Sequence, residues 1–186
     1  MNAPERIVEA YYRMVKHCFT MPDVKVIAGN NRQIDLLVFC PASNLYYHVE
    51  TAVTHVRHWN YSESELAELV NFKFFGAPSQ RDTANPRTDA ARGKSYLEPI
   101  KDTYASRGVD FDSVIRVMCG WEFPDGATQT VWKDSLALEF PTDRLELLSF
   151  RDQVIPDLRA AVGTANYDDD ILRTLSLLTQ YDSQKP

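Results

Sequence analysis

The chain has 186 residues, 44% of them hydrophobic and 25% charged, a composition typical of a single domain over residues 1–186. A formal net charge of -6 counts against a dedicated non-specific nucleic-acid binder, which is normally basic on at least one face. No window approaches the ~20 apolar residues that span a bilayer, and the first residues lack the apolar stretch of a signal peptide. We therefore expect a cytoplasmic protein with no membrane partner. The three cysteines are scattered, and we expect each to be a small core residue rather than part of a disulfide framework.

The first third of the chain predicts one helix and three strands. Apolar residues recur at helical spacing between Ile7 and Cys18, which predicts an amphipathic helix over residues 4–19. Three β-branched or alternating runs follow, and we predict strands over 24–29, 33–40 and 45–53. The loop "PASN" between the last two is short enough for a hairpin, so the three strands should form an antiparallel meander.

The rest of the chain alternates helices and strands. Ser62, with Glu65 three residues later, is a helix-start signal for a helix over 61–75. A polar loop is predicted over 77–93. Beyond it we predict a helix over 94–107, strands over 113–123, 131–140 and 144–150, and helices over 151–163 and 168–182. This order predicts an α/β domain with a mixed sheet covered by helices on both sides, and no Gly-rich phosphate-binding motif is present.

Two acids set into neighbouring apolar strands are the most informative feature of the sequence. Because side chains alternate along a strand, Asp35 shares a face with Leu37, and Glu50 shares a face with His48. Pairing through the hairpin would bring the two carboxylates side by side, where they repel unless one is protonated or a cation bridges them. Hard oxygen ligands in that arrangement suit Mg²⁺ or Mn²⁺. Exposed ion pairs, such as Asp35 with Arg32, explain the same residues equally well.

The sequence "QIDLLVF", a short loop and "YYHVETAV" resemble the core of the PD-(D/E)XK nuclease superfamily, which has a restriction-endonuclease-like fold. The resemblance covers about the first third of the chain. It implies that Asp35 and Glu50 are the two metal-ligand carboxylates, and that Glu9 on the first helix is an auxiliary metal ligand. A surface pair of Glu9 with Arg13, four residues apart on the helix, is the competing interpretation.

The lysine that the resemblance requires is missing, because its position falls on Ala52. That lysine normally orients the attacking water and stabilises charge on the phosphate. Three interpretations remain open: Lys73 on the following helix supplies the cation; His48, His55 or Arg57 replaces it; or the site is inactive. The default interpretation of Lys73 is a solvated lysine, and that of the segment with His55 and Arg57 is an ordinary polar loop.

The resemblance implies metal-assisted phosphodiester hydrolysis with Mg or Mn held by Asp35 and Glu50. Lys73 or His48 would orient or deprotonate the water, and three arginines of the polar loop would bind the nucleic-acid backbone: Arg81, Arg87 and Arg92. The expected function is a nuclease, or a nuclease-derived module, acting on DNA or RNA in defence or nucleic-acid processing. The first rival is an inactive relative that binds nucleic acid or protein, and the second is a small interaction protein. The sequence does not decide whether the chain forms a homodimer.

Overall fold

The structure, a computed structural model, describes residues 1–29, 31–53, 61–77, 95–124, 126–136 and 144–184. The strands are β1 (Phe19–Lys25), β2 (Gln33–Cys40), β3 (Leu45–Thr51), β4 (Ile115–Gly120) and β5 (Leu145–Ser149). The helices are α1 (Ala3–Met14), α2 (Glu63–Phe75), α3 (Leu97–Ala105), α4 (Gly126–Leu136), α5 (Ile155–Val162) and α6 (Asp170–Ser183). A π-helical turn, Phe150–Val154, leads into α5.

Within the described ranges, the strands form one mixed sheet in the order β1-β2-β3-β4-β5. The first three strands are an antiparallel meander, as the sequence predicts. β4 lies parallel to β3, and β5 lies parallel to β4. Parallel neighbours need a crossover connection, and here α2 and α3 connect β3 to β4 while α4 connects β4 to β5.

Helices cover both faces of the sheet. On one face, Val8 of α1 packs with Leu36, Val49 and Val117 of three adjacent strands. On the other face, α2 and α3 pack against residues of the opposite strand parity, such as Leu37 and Met118. The second face also carries Asp35, His48 and Glu50, so α2 and α3 are the helices that surround the predicted site.

The predicted α/β class, the mixed sheet and its helical layers are confirmed, whereas two strand predictions are corrected. Residues 131–136 belong to α4 rather than to a strand, because Trp132 and Leu136 lie four residues apart and both pack on the core that includes Met118. The first strand begins at Phe19 instead of residue 24. Its interior contains Pro22, which is tolerated because β1 is an edge strand.

Two of the three cysteines also differ from expectation. Cys18 and Cys40 form a disulfide, with their Cα atoms 4.4 Å apart. Phe19 pairs with Phe39, so one further step of the register sets the two cysteines opposite each other. Cys119 is free and buried, as predicted. Among the described helices, none combines the length and the apolar character that crossing a membrane requires.

Candidate functional site

The register of the hairpin brings Asp35 and Glu50 together, as the strand alternation predicts. Leu36 pairs with Val49, so the next step places Asp35 opposite Glu50 on the same face of the sheet. Both acids are buried, with Asp35 6% exposed and Glu50 1% exposed. The backbone N–H of Thr51 donates a hydrogen bond to Asp35 Oδ2 at 2.8 Å, which fixes that carboxyl group against the end of β3.

Lys73 from α2 meets both acids. Its Nζ lies 2.6 Å from Glu50 Oε2 and 3.8 Å from Asp35 Oδ2, and its side chain is 25% exposed. The helix is fixed at its start by a capping box between Ser62 and Glu65, and its apolar face buries Phe74 against the sheet. Two strands and one helix therefore direct their charged groups to one point, which remains partly open to solvent through Lys73.

His48 lies behind Glu50 and is fully buried. Its Nε2 is 2.7 Å from Glu50 Oε1, and its Nδ1 is 2.5 Å from the hydroxyl oxygen of Tyr104 on α3. A carboxylate accepts hydrogen bonds, so we assign the ring proton to Nε2, and the Tyr104 hydroxyl then donates to Nδ1. With both nitrogens occupied and no exposed surface, His48 orients Glu50 and is not positioned to deprotonate a water.

The surroundings of the two acids shift their pKa values in opposite directions. Burial and the neighbouring Glu50 charge raise the pKa of Asp35 to about 7, against the opposing effects of Lys73 and the Thr51 N–H. Burial alone would also raise the pKa of Glu50, but Lys73 and His48 outweigh it and hold that pKa well below its usual range. Burial lowers the pKa of His48. At neutral pH, Glu50 is ionised, His48 is neutral and Asp35 is close to its midpoint.

Glu9 is not brought to this site. It lies on α1, on the opposite face of the sheet, and its Oε1 accepts a hydrogen bond from the Thr20 hydroxyl at 3.0 Å. Thr20 pairs with Val38, three residues along β2 from Asp35, or roughly 10 Å at the usual rise of a strand. The acid of α1 that adds to the raised pKa of Asp35 is Glu5, one helical turn earlier.

The other predicted site residues lie outside the described part of the chain. These are Arg81, Arg87 and Arg92, together with the alternative cations His55 and Arg57. Three contacts of the site are absent from the sequence-based prediction: the Tyr104 hydroxyl, the Thr51 N–H and the packing of Arg32 against α2. Arg32 stands directly before the "QIDLL" run, and this position beside Asp35 is a sequence signal that Arg32 lies near the site. Tyr104 offers none, because only the packing of α3 on the sheet brings it to His48.

The arrangement can bind a cation and place a positive charge beside it. Two carboxylates converge on one ammonium group, and Mg²⁺ is usually held by one or two carboxylates, with water and phosphate oxygens completing its shell. No group of three or more His, Cys, Asp or Glu side chains suited to a metal ion occurs in the described ranges. Any metal here would therefore rely on the Asp35 and Glu50 pair.

Comparison of the chain with protein-family models, curated proteins and solved structures finds no match.

Proposed function

We propose that this chain is a metal-dependent nuclease of the PD-(D/E)XK type with a restriction-endonuclease-like fold, hydrolysing phosphodiester bonds of DNA or RNA. The observation that carries the proposal is the convergence of Lys73 Nζ on Asp35 and Glu50, which are 38 and 23 positions earlier in the chain. Ala52 stands where the family has its lysine, and Lys73 of the following helix would supply the missing positive charge. The order of helix, antiparallel meander and parallel strands is consistent with such a fold.

In this proposal, Asp35 and Glu50 would hold Mg²⁺ or Mn²⁺. The bound ion would polarise a phosphate oxygen and lower the pKa of a bound water. Lys73 would place its ammonium beside the reacting phosphate and stabilise the negative charge that develops there. His48 and Tyr104 would keep Glu50 ionised and correctly oriented, so that the ligand pair retains at least one full negative charge at neutral pH.

An inactive relative that binds nucleic acid or protein is the second candidate, and one specific observation favours it. Glu50 already has Lys73 on one oxygen and His48 on the other, and burial leaves it 1% exposed. A buried carboxylate so fully hydrogen-bonded can serve structure alone. The two candidates differ in whether a metal ion replaces the ammonium at Glu50.

The test is a cleavage assay on single- and double-stranded DNA and RNA, with Mg²⁺, Mn²⁺ or EDTA. We expect metal-dependent cutting that falls at least about hundredfold in Lys73→Met and in Asp35→Asn, the scale on which a transition-state charge contact acts. Lys101→Met is the matched control, because Lys101 is a partly exposed lysine of α3 that pairs with Glu98. Circular dichroism would establish that each variant folds.

Two results would contradict the proposal. Cutting that survives in both site variants, or in EDTA, would assign the activity to another site or another protein. Absence of cutting on every substrate, by a folded wild-type protein, would favour the inactive relative.

A further inference from the structure

Arg32, immediately before β2, lies against the rings of Phe72 near the end of α2 and of Tyr96 just before α3. Its guanidinium carbon is 4.4 Å from the centroid of the Phe72 ring and 5.5 Å from that of Tyr96. One guanidinium nitrogen donates a hydrogen bond to the backbone carbonyl oxygen of Lys73 at 3.4 Å. Cation–π contacts of this kind restrict the position of a guanidinium group.

Among the described residues, Arg32 donates to a single recorded acceptor. A guanidinium has five N–H donors, and the long bond to the Lys73 carbonyl uses one of them. No carboxylate of the described residues lies within ion-pair distance of Arg32, although the side chain is partly buried and burial lowers its pKa. Glu50 acts on this partly desolvated charge only from beyond ion-pair distance, so the position is suited to receive a closer anion.

Lys73 links Arg32 to the carboxylate pair. Its backbone carbonyl accepts from Arg32, while its side chain contacts Glu50. The charges interact as well, since Arg32 opposes the raised pKa of Lys73 and Glu50 opposes the lowered pKa of Arg32. Arg32 and Lys73 therefore form two neighbouring positive charges at the open side of the site.

We propose that Arg32 binds a backbone phosphate of a nucleic-acid strand next to the Asp35–Glu50–Lys73 site. Contacts with the Phe72 and Tyr96 rings hold the guanidinium, and its other N–H donors would bind the phosphate oxygens in the planar, forked geometry that favours arginine for this task. This assignment rests on the proposed function in taking the strand to be the substrate. The competing role is purely structural: Arg32 would stabilise the last carbonyl groups of α2 and bind nothing.

Salt dependence of binding separates the two roles. A fluorescein-labelled single strand of about 20 nucleotides and its duplex would be titrated with protein in EDTA, where no cutting occurs, over a series of NaCl concentrations. The slope of log K against log salt is negative, and each lost phosphate contact reduces its magnitude by about 0.7 for single strands and about 0.9 for duplexes. We expect Arg32→Gln to weaken binding and to lose about one such contact on the preferred probe.

Two further variants complete the design. Arg32→Lys keeps the charge and should retain the salt slope, while losing affinity because an ammonium lacks the fork. Arg13→Gln is the matched control, since Arg13 is an exposed residue of α1, the helix on the opposite face of the sheet. It should change neither affinity nor slope.

An Arg32→Gln variant that is less stable to heat but has an unchanged salt slope would assign Arg32 to the helix end and overturn the inference. Failure of the folded wild-type protein to bind any probe would overturn it as well. Binding that loses one contact in Arg32→Gln, together with no metal-dependent cutting, would uphold the phosphate site and remove the nuclease activity. Metal-dependent cutting together with an unchanged salt slope in Arg32→Gln would uphold the nuclease activity and overturn the phosphate site.

Discussion

Asp35 is a buried carboxyl group whose surroundings disfavour its ionised form. It is only 6% exposed, faces the ionised Glu50, and has Lys73 at 3.8 Å as a distant cation. The consequence is a pKa of about 7, far above the usual value of a carboxyl group. In the metal-free protein, ionising Asp35 therefore opposes folding, and a cation that enters the site relieves this penalty.

The stability of the metal-free protein should show this directly. A raised folded-state pKa contributes stability that is complete below about pH 4 and is lost as the pH rises through about 7. Asp35→Asn removes that titration but keeps an oxygen for the Thr51 N–H. We expect the variant's unfolding free energy, relative to wild type, to increase between about pH 5 and about pH 8 by on the order of 2 kcal/mol.

Chemical denaturation in EDTA at several pH values measures this difference. Asp134→Asn, which removes an exposed carboxylate of α4, is the matched control. If the unfolding free energies of Asp35→Asn and wild type differ by the same amount at every pH, the pKa of Asp35 is not raised in the folded protein.

The Tyr104 hydroxyl donates the hydrogen bond to Nδ1 of His48, whose ring proton the Glu50 carboxylate holds on Nε2. Replacing Tyr104 with Phe removes the donor to Nδ1 and leaves a fully buried ring nitrogen without its partner. We expect a loss of about 1 to 3 kcal/mol in unfolding free energy, the usual effect of an unsatisfied buried polar group. We also expect the Nδ1 NMR signal of His48 to shift because Nδ1 loses its hydrogen bond, while Glu50 keeps the ring proton on Nε2.

Tyr46→Phe is the control for this change, because the Tyr46 ring packs at a tilt against Phe39 and is only partly buried. If Tyr104→Phe changes the unfolding free energy and the Nδ1 signal of His48 no more than Tyr46→Phe does, Tyr104 acts as a packing residue and not as a hydrogen-bond donor.

The sequence predicts part of this site and misses the rest for a physical reason. Asp35 and Glu50 follow from period-two alternation and a short hairpin, which are local features. Lys73 is one of several cations that the sequence leaves open, since choosing it requires knowing how α2 lies on the sheet. Tyr104 is 54 positions from Glu50 and reaches His48 only through packing of α3, and no local pattern encodes such a contact.

At the scale of elements, strongly periodic segments are predicted well and ambiguous short ones are not. β2, β3 and β4 are apolar runs between turns, and α2 carries a complete capping box. Over residues 131–136 the apolar residues fit both a strand and a helix, and contacts of α4 with the core decide for the helix. β1 is similarly obscured by Pro22, which a paired edge strand can accommodate.

Gly76 is the C-cap of α2, just beyond Lys73, and its left-handed backbone conformation ends the helix there. It has φ 68° and ψ 19°, and an added Cβ would lie 2.5 Å from the Tyr96 carbonyl carbon and 2.7 Å from the Leu97 nitrogen. These are backbone atoms of the next helix, so they cannot move aside as a flexible side chain can. We expect Gly76→Ala to lower the unfolding free energy by at least about 2 kcal/mol.

Gly108→Ala is the matched comparison for Gly76. Gly108 also has a positive φ, 71°, but an added Cβ would meet nothing within 4 Å. It should cost about 1 kcal/mol, which isolates the conformational penalty from the steric one. Equal losses for the two variants in denaturant titrations would mean that the contact with Tyr96 does not constrain α2.

At the scale of the whole molecule, the topology assembles the site at one end of the inner strands β2 and β3. Glu50 lies near the carboxyl end of β3, where the sheet changes from antiparallel to parallel pairing, and Asp35 lies near the start of β2. The crossover helices then bring Lys73 and Tyr104 to the same face. Open α/β sheets commonly bind ligands beyond the carboxyl ends of their strands, and the partly exposed Lys73 marks that side here.

Metal binding should therefore stabilise the folded chain, because the unfolded chain does not bring the two carboxylates together. A ligand that binds only the folded state stabilises it by about 2.7 kcal/mol at a hundredfold excess over its Kd. Protons compete with the ion for Asp35, whose pKa is about 7. The rise in melting temperature on adding Mg²⁺ or Mn²⁺ should therefore be larger at about pH 8 than at about pH 6.

Differential scanning fluorimetry with a metal titration at both pH values measures this effect, with NaCl of equal ionic strength as the control for screening. EDTA should reverse the shift. Asp35→Asn should nearly abolish it, since the amide keeps the shape of the side chain but not its charge, whereas Asp134→Asn should retain it. A shift that is independent of pH, or that persists in Asp35→Asn, would place the bound ion elsewhere and leave Lys73 as the permanent cation of this site.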